Sequence, residues 1–136
     1  MVLWQFPPSF KVNHDRLAAF LSLLRHYPAR HAFEFRHESW ITPDIIDLCR
    51  THSVGLCMAD WPAFIDDLPM TADFVYMRRH GQNGSYATRY SMAELQKDAA
   101  RIRTYLNSGK SVFIYFNNDA HGYAPENAQQ LRELLQ

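Results

Sequence analysis

Five short apolar runs, each ending abruptly in polar residues, constrain this chain more than any other feature. They are Val2-Leu3-Trp4-Gln5, Ala32-Phe33-Glu34-Phe35-Arg36-His37, Val54 through Asp60, Phe74 through His80, and Val112 through Asp119. Helical patterns fill most of the spaces between them. Strands alternating with helices predict a parallel sheet with right-handed crossovers. Such a sheet gathers the Glu, Arg, Asp, His and Asn residues at the strand ends along one rim.

The helices are legible from periodicity and caps. Leu17, Phe20, Leu21 and Leu24 form one apolar stripe between Asn13 and about Tyr27, with Asn13 or Asp15 as cap and Pro28 helping to end it. Thr42-Pro43 opens a second helix that carries Ile45, Ile46 and Cys49 inward. Ser91-Met92-Ala93-Glu94 is a capping box, followed by Leu95, Ala99, Ile102 and Leu106 up to a stop at Gly109. A last helix runs from about Pro125, with Ala128, Leu131 and Leu135 inward. Pro62 and Pro69 make the segment from Trp61 to Asp73 a loop or short turn. The Gly-Gln-Asn-Gly-Ser stretch that begins at Gly81, in the segment up to Arg89, reads as a mobile loop in the position where loops complete sites.

Alternation within each strand assigns faces. Ala32, Glu34 and Arg36 share one face, and Phe33 and Phe35 the other. Tyr76, Arg78 and His80 oppose Val75 and Met77, while Phe113, Tyr115, Asn117 and Asp119 oppose Val112, Ile114 and Phe116. A sheet covered by helices on both faces does not hold Glu34 and Arg36 two residues apart in mid-strand. The mouth of a (β/α) barrel does. A (β/α)8 barrel takes about 250 residues, and this chain of 136 residues supplies five strands and begins inside one of them. The expectation is therefore an α/β chain forming part of a TIM barrel, its C-terminal portion, with three strands missing.

Composition agrees with one domain having a real core, at 47% hydrophobic and 14% aromatic residues. Lys plus Arg and Asp plus Glu both number 14, so no global field attracts nucleic acid or an anionic membrane. The expectation is neither export nor membrane insertion: Met1 to Pro8 lacks a signal-like pattern, and the longest apolar stretch, Leu17 to Leu24, is far below the roughly 20 residues a spanning helix requires. Cys49 and Cys57 read as buried thiols of a reducing, cytoplasmic setting.

The blocks Leu3-Trp4-Gln5-Phe6-Pro7-Pro8-Ser9-Phe10, Phe33-Glu34-Phe35-Arg36-His37-Glu38-Ser39-Trp40, Ala59-Asp60, Thr71 through Arg78 with His80-Gly81, and Tyr115-Phe116-Asn117-Asn118-Asp119 with Gly122, Ala124-Pro125 and Asn127-Ala128 resemble, in order and spacing, the YecE-like family (domain of unknown function 72). The resemblance implies a TIM barrel whose strands four through eight correspond to these blocks. It implies that the first three strands, and the rim residues they carry, are absent here. It implies no particular reaction.

Several groups are candidates for the rim. Arg36 and Arg78, from different strands, suit clamping of a phosphate or carboxylate; alternatively Glu34 and Arg36 are a structural pair. His80 suits a general acid or base, partnered by Glu34 or Asp119. His80 with Asp60, Glu34 and Asp119 is a second option, as ligands of a divalent metal. Asn117 with Asn118 and Asp119 suits hydrogen bonding to a polar ligand, although the last two also suit a turn before Gly122. Gln5 ends the first run on the same rim. Trp4, Tyr76 and Tyr115 form either a stacking platform or barrel filling. Arg79 is expected to point outward, and His37 to order the loop to Trp40. No nucleophile is marked: neither Ser9 nor Ser39 has a Gly-x-Ser-x-Gly context.

Three readings follow. The first is a barrel enzyme acting on a phosphorylated or anionic small molecule, or on nucleic acid phosphates, with hydrolysis as one option. It would use Glu34, His80 and Asp119 for chemistry and Gln5, Arg36, Asp60, Tyr76, Arg78 and Asn117 for binding. The second is a non-catalytic ligand- or nucleic-acid-binding barrel. The third is a truncated product without independent activity. Exposed strand edges lead to an expectation of self-association or of a partner carrying the missing strands.

Overall fold

The five strands lie in one parallel sheet in the order in which the chain makes them. The computed structural model describes residues 1–136. Strands β1 (Val2–Phe6), β2 (His31–Phe35), β3 (Gly55–Ala59), β4 (Phe74–Arg79) and β5 (Ser111–Phe116) alternate with helices α1 (His14–Leu24), α2 (Pro43–Thr51), α3 (Met92–Asn107) and α4 (Tyr123–Leu135). Only β3 and β4 are joined without an α-helix, through a short 3-10 turn at Ala63–Ile65, as Pro62 and Pro69 demand. Sequential order with right-handed crossovers puts every helix on the same side of the sheet. The result is an arc of a (β/α)8 barrel, with five parallel strands and intervening helices, rather than a doubly wound sheet, whose order reverses in the middle.

The first three helices start where the sequence places a cap. The Asn13 side chain accepts from Arg16 N at 2.9 Å, Thr42 caps α2 with Pro43 in its first turn, and Ser91 and Glu94 form a reciprocal capping box. Two ends differ from expectation. α4 begins at Tyr123, not Pro125, because a proline in the first turn displaces no intrahelical hydrogen bond. Its inner stripe is then Ala124, Asn127 and Leu131, and Ala128 faces solvent. In α3 the exposed residue is Leu106, because Tyr105 takes the inward position and its hydroxyl reaches Met58 Sδ at 3.4 Å.

Parallel register puts residues of equal parity on one face. Gln5 lies beside Glu34, Cys57 beside Tyr76, Ala59 beside Arg78, and Arg78 beside Tyr115. The opposite face carries Phe33, Phe35, Met58 and Met77, which are buried together with Leu17 and Leu21 of α1, Ile45 of α2 and Leu95 and Ile102 of α3. Each such side chain contributes roughly 1.5–3 kcal/mol by leaving water. At one end of that layer Trp40 stacks on Phe35 at 5.0 Å and donates its indole N–H to Phe10 O at 2.6 Å. Cys49 and Cys57 are both buried and unpaired with each other. No helix is long and apolar enough to cross a membrane.

Both outer strands are paired on one side only, β1 with β2 and β5 with β4. Beside the open edge of β1 the helix layer leaves a groove of about 320 Å³ lined by Trp4, Phe6, Phe10, Leu17, Phe20 and Trp40. Unpaired edges next to apolar surface recruit further strands. Light scattering at micromolar concentration is expected to show species larger than one 136-residue chain. A monodisperse monomer that unfolds cooperatively would exclude that expectation.

Candidate functional site

Glu34 is the centre of the polar face. It sits in mid-sheet and is completely buried, where a carboxylate persists only if charged donors replace its lost water. Two do so. Arg36 Nε donates to Oε1 at 2.7 Å and Arg78 Nη1 donates to Oε2 at 2.7 Å. Arg36 comes from the end of Glu34's own strand, two residues on and so on the same face. Arg78 reaches across β3 from β4, and β3 offers only the short side chains of Cys57 and Ala59 to pass over. Cys57 Sγ lies 3.9 Å from the same carboxylate. Its thiol is pushed well up, first by burial and then by the Glu34 charge, which keeps it protonated and poorly nucleophilic.

The outer parts of both guanidiniums are held by amides. The Gln5 amide oxygen, in the orientation that satisfies both ends of the side chain, accepts from Arg36 Nη2 at 3.1 Å. Asn117 Oδ1 accepts from Arg78 Nε at 3.0 Å. Burial opposes the charge of Arg36, but Glu34 and the Tyr86 hydroxyl outweigh it and raise the pKa. With one carboxylate between two guanidiniums, the cluster carries a net single positive charge. The Arg36 and Arg78 side chains remain 17% and 16% exposed, while Glu34 is at 0%. Tyr76 and Tyr115 stack beside this cluster, ring centroids 4.9 Å apart at 23°. Trp4 does not join them. Its parity sends it to the helix side, against Phe20 at 4.9 Å.

His80 belongs to a second network. Its partner is Asp60, neither Glu34 nor Asp119. Asp60 Oδ1 accepts from the His80 backbone N–H at 2.8 Å and lies 3.3 Å from His80 Nδ1, and Oδ2 accepts from the Tyr90 hydroxyl. That hydroxyl in turn accepts from Gly81 N at 2.6 Å. Burial raises the Asp60 pKa, but the bonds from His80 and Tyr90 outweigh it and leave the carboxyl below its ordinary value. The Tyr90 hydroxyl is pushed up, first by burial and then by Asp60. His80 is fully buried, and its Nε2 has no hydrogen-bond partner. The Tyr86 ring stands edge-on to it at 5.4 Å.

Asp119 takes no part in either network. It is exposed, and its backbone oxygen closes the turn into Gly122 at 3.0 Å. The expected metal set therefore does not assemble: no three His, Cys, Asp or Glu side chains converge on a common ion position. The physical reason is that both Glu34 oxygens are taken by cations, while Asp60 faces the loop. Asn118 is a tie rather than a rim group, since its Nδ2 donates to Thr88 O at 2.8 Å and to Asn127 Oδ1 at 3.0 Å. Arg79 points into the helix layer, bonded to Asp98 at 2.6 Å and Asp66 at 3.2 Å. His37 caps the turn to Trp40, accepting from Ser39 N at 3.1 Å.

Sequence reasoning missed Tyr86, Tyr90 and Asn127. Asn127 had a signal, as a polar residue in the inner stripe of α4; it accepts from Tyr90 N at 3.0 Å and donates to Tyr90 O at 3.1 Å. Tyr86 had none, because its place depends on the path of the loop. Its backbone N–H donates to His80 O at 2.8 Å and its carbonyl accepts from Ala120 N at 3.3 Å, which lays the loop over the ends of β4 and β5.

Comparison with known proteins identifies the family and the fold. The profile described as "Protein of unknown function DUF72" matches residues 1–136. The UPF0759 protein YunF of Bacillus subtilis (strain 168) is 26% identical, over 99% of this chain and 57% of the relative. A DUF72 family protein of Thermotoga maritima MSB8 superposes with a TM-score of 0.82 at 30% identity, covering 98% of this chain and 56% of the other. A DUF72 family protein of Enterococcus faecalis V583 shares the fold, with a TM-score of 0.79 at 23% identity and coverage of 98% and 57%. The chain thus spans just over half the length of the relatives it matches.

Two measurements test the networks. Glu34→Ala leaves two guanidiniums facing each other without a counter-charge and is expected to lower unfolding free energy by about 3–5 kcal/mol in urea titration. Asp60→Asn is expected to lose about 1–3 kcal/mol at pH 7. Because the folded pKa of Asp60 is depressed, its contribution is fully present above the ordinary value of 3.8 and disappears as pH falls through the folded value. The gap between wild type and Asp60→Asn should therefore close in acid. A gap of constant size down to about pH 2 would show that the ionised Asp60 is not what stabilises this knot.

Proposed function

From the premise that this chain belongs to the DUF72 family, we propose that it binds an anionic ligand, bearing phosphate or carboxylate, at the C-terminal ends of its strands. The supporting observation is that Arg36 and Arg78 share the single carboxylate of Glu34. One positive charge is left over on a partly desolvated face, where a charge-assisted hydrogen bond is strong. Glu34 acts there as the counter-ion that fixes both guanidinium planes. Gln5 and Asn117 hold the guanidinium edges, and Tyr76 borders the site. The surplus charge suits a small phosphorylated molecule or a nucleic acid phosphate equally.

For a hydrolytic reaction the proton carrier is His80. Asp60 holds its Nδ1 side, and Nε2 is free of protein partners. Asp119, exposed and with its side chain bonded to neither network, has no place in that step. One observation favours recognition without catalysis instead: both Glu34 oxygens are occupied by guanidiniums, so the carboxylate at the centre of this face is not free to move a proton. The buried thiols of Cys49 and Cys57 suit either activity in a reducing cytoplasm.

Phosphate titrated into the full chain, followed by NMR of the arginine Nε–H signals, should give saturable binding. Arg78→Gln should weaken it roughly 10- to 100-fold, the loss of one charged hydrogen bond. Equal phosphate binding by wild type, Arg36→Gln and Arg78→Gln would overturn the proposal. Turnover of 4-nitrophenyl phosphate that disappears in His80→Gln supports the hydrolytic form. Saturable binding without product, with and without divalent cations, supports the recognition form.

A further inference from the structure

The polar face does not end at the guanidiniums. One layer below them, toward the strand N-termini, the inner surface turns aromatic. Arg78 and Tyr115 are neighbours in register on β4 and β5. The Tyr115 ring stacks on that of Tyr76, the residue two positions before Arg78, near-parallel and with centroids 4.9 Å apart. Below that, Phe74 meets Phe113 at 6.3 Å. Phe74 can lie flat against β3 because Gly55 has no side chain; a Cβ there would come within 2.8 Å of the ring.

A barrel interior built only for packing is dominated by branched aliphatic residues. Here the corresponding positions of β4 and β5 carry four aromatic rings, and Tyr115 is 45% exposed. One face of its ring is used by Tyr76. The Tyr76 hydroxyl is pushed up to about 12, by burial and then by Tyr115, so no phenolate opposes an anion nearby. Arg78 Nε and Nη1 are committed to Asn117 and Glu34, and Nη2 donates to no protein acceptor.

We propose that the ligand of this site is a planar aromatic ring carrying a phosphate or carboxylate, with the ring stacked on the open face of Tyr115 and the anion on Arg78 and Arg36. The inference rests on the anion-binding reading above and adds the ring to it. Two residues of strand separate the Tyr76 layer from the Arg78 layer, about 6–7 Å. A ring on Tyr115, which is in register with Arg78 and stacked on Tyr76, lies within that span of an anion at the rim. Aryl phosphates and nucleoside monophosphates share this chemistry.

The test is a set of affinities measured on the full chain by calorimetry or NMR, for inorganic phosphate, cyclohexyl phosphate, phenyl phosphate and a nucleoside 5′-monophosphate. Phenyl phosphate is expected to bind about 3- to 10-fold tighter than cyclohexyl phosphate, the range of an aromatic pair beyond simple burial. Its ring protons should shift upfield on binding. Tyr115→Phe should keep the preference, and Tyr115→Leu, which retains apolar bulk, should abolish it. Equal affinity for the phenyl and cyclohexyl esters, with both lost in Arg78→Gln, overturns the ring and leaves the anion site standing. Tighter nucleotide than phenyl phosphate binding selects the longer of the two ligand types. Failure of inorganic phosphate and of every ester to bind overturns both proposals.

Discussion

A carboxylate buried in mid-sheet between two arginines is the constraint around which the functional end of this molecule is arranged. Glu34 ties β2 to β4 across the intervening strand, and that tie is possible only because β3 presents Cys57 and Ala59 beneath it. Removing Glu34 would leave two guanidiniums side by side without a counter-charge, so the three residues behave as one unit. Two cations on one anion do not neutralise each other. The face is therefore electrostatically incomplete by one charge.

The second network has a different role. Asp60 gathers the His80 backbone, the His80 ring and the Tyr90 hydroxyl, while Asn118 and Asn127 hold the loop from the side of β5 and α4. Together they pin the segment after β4 across the strand ends. His80 lies at the junction, one ring nitrogen engaged and the other unpartnered. The two networks meet at Tyr86, whose ring touches His80 and whose hydroxyl contributes to the charge of Arg36.

The sheet itself stops short. Its relatives are nearly twice as long, and both outer strands keep an open edge. The side of the inner face opposite Glu34 is not built by these residues, and in a closed barrel other strands face it. The arginine pair and the tyrosine stack come from the end of β2 and from β4 and β5.

Local pattern was enough for much of this. Period-two alternation told that Glu34, Arg36, Tyr76, Arg78 and Tyr115 share a face and that Arg79 leaves it, because side-chain direction in a strand is a local property. Caps and apolar stripes placed the helices to within a few residues, with errors at Leu106 and Ala128 where a neighbour won the inward position. Counting strands against helices led to an arc of a barrel. Pairing was another matter. Whether Glu34 meets His80 or two arginines and whether Asp60 turns to the rim or to Tyr90 depend on register between strands and on the route of a loop. Those are relations between residues as far apart as 44 positions. The sequence by itself determined which groups the chain could bring to its rim; the tertiary structure decided which of them are already engaged, because hydrogen bonds and charge pairs are made by distance in space.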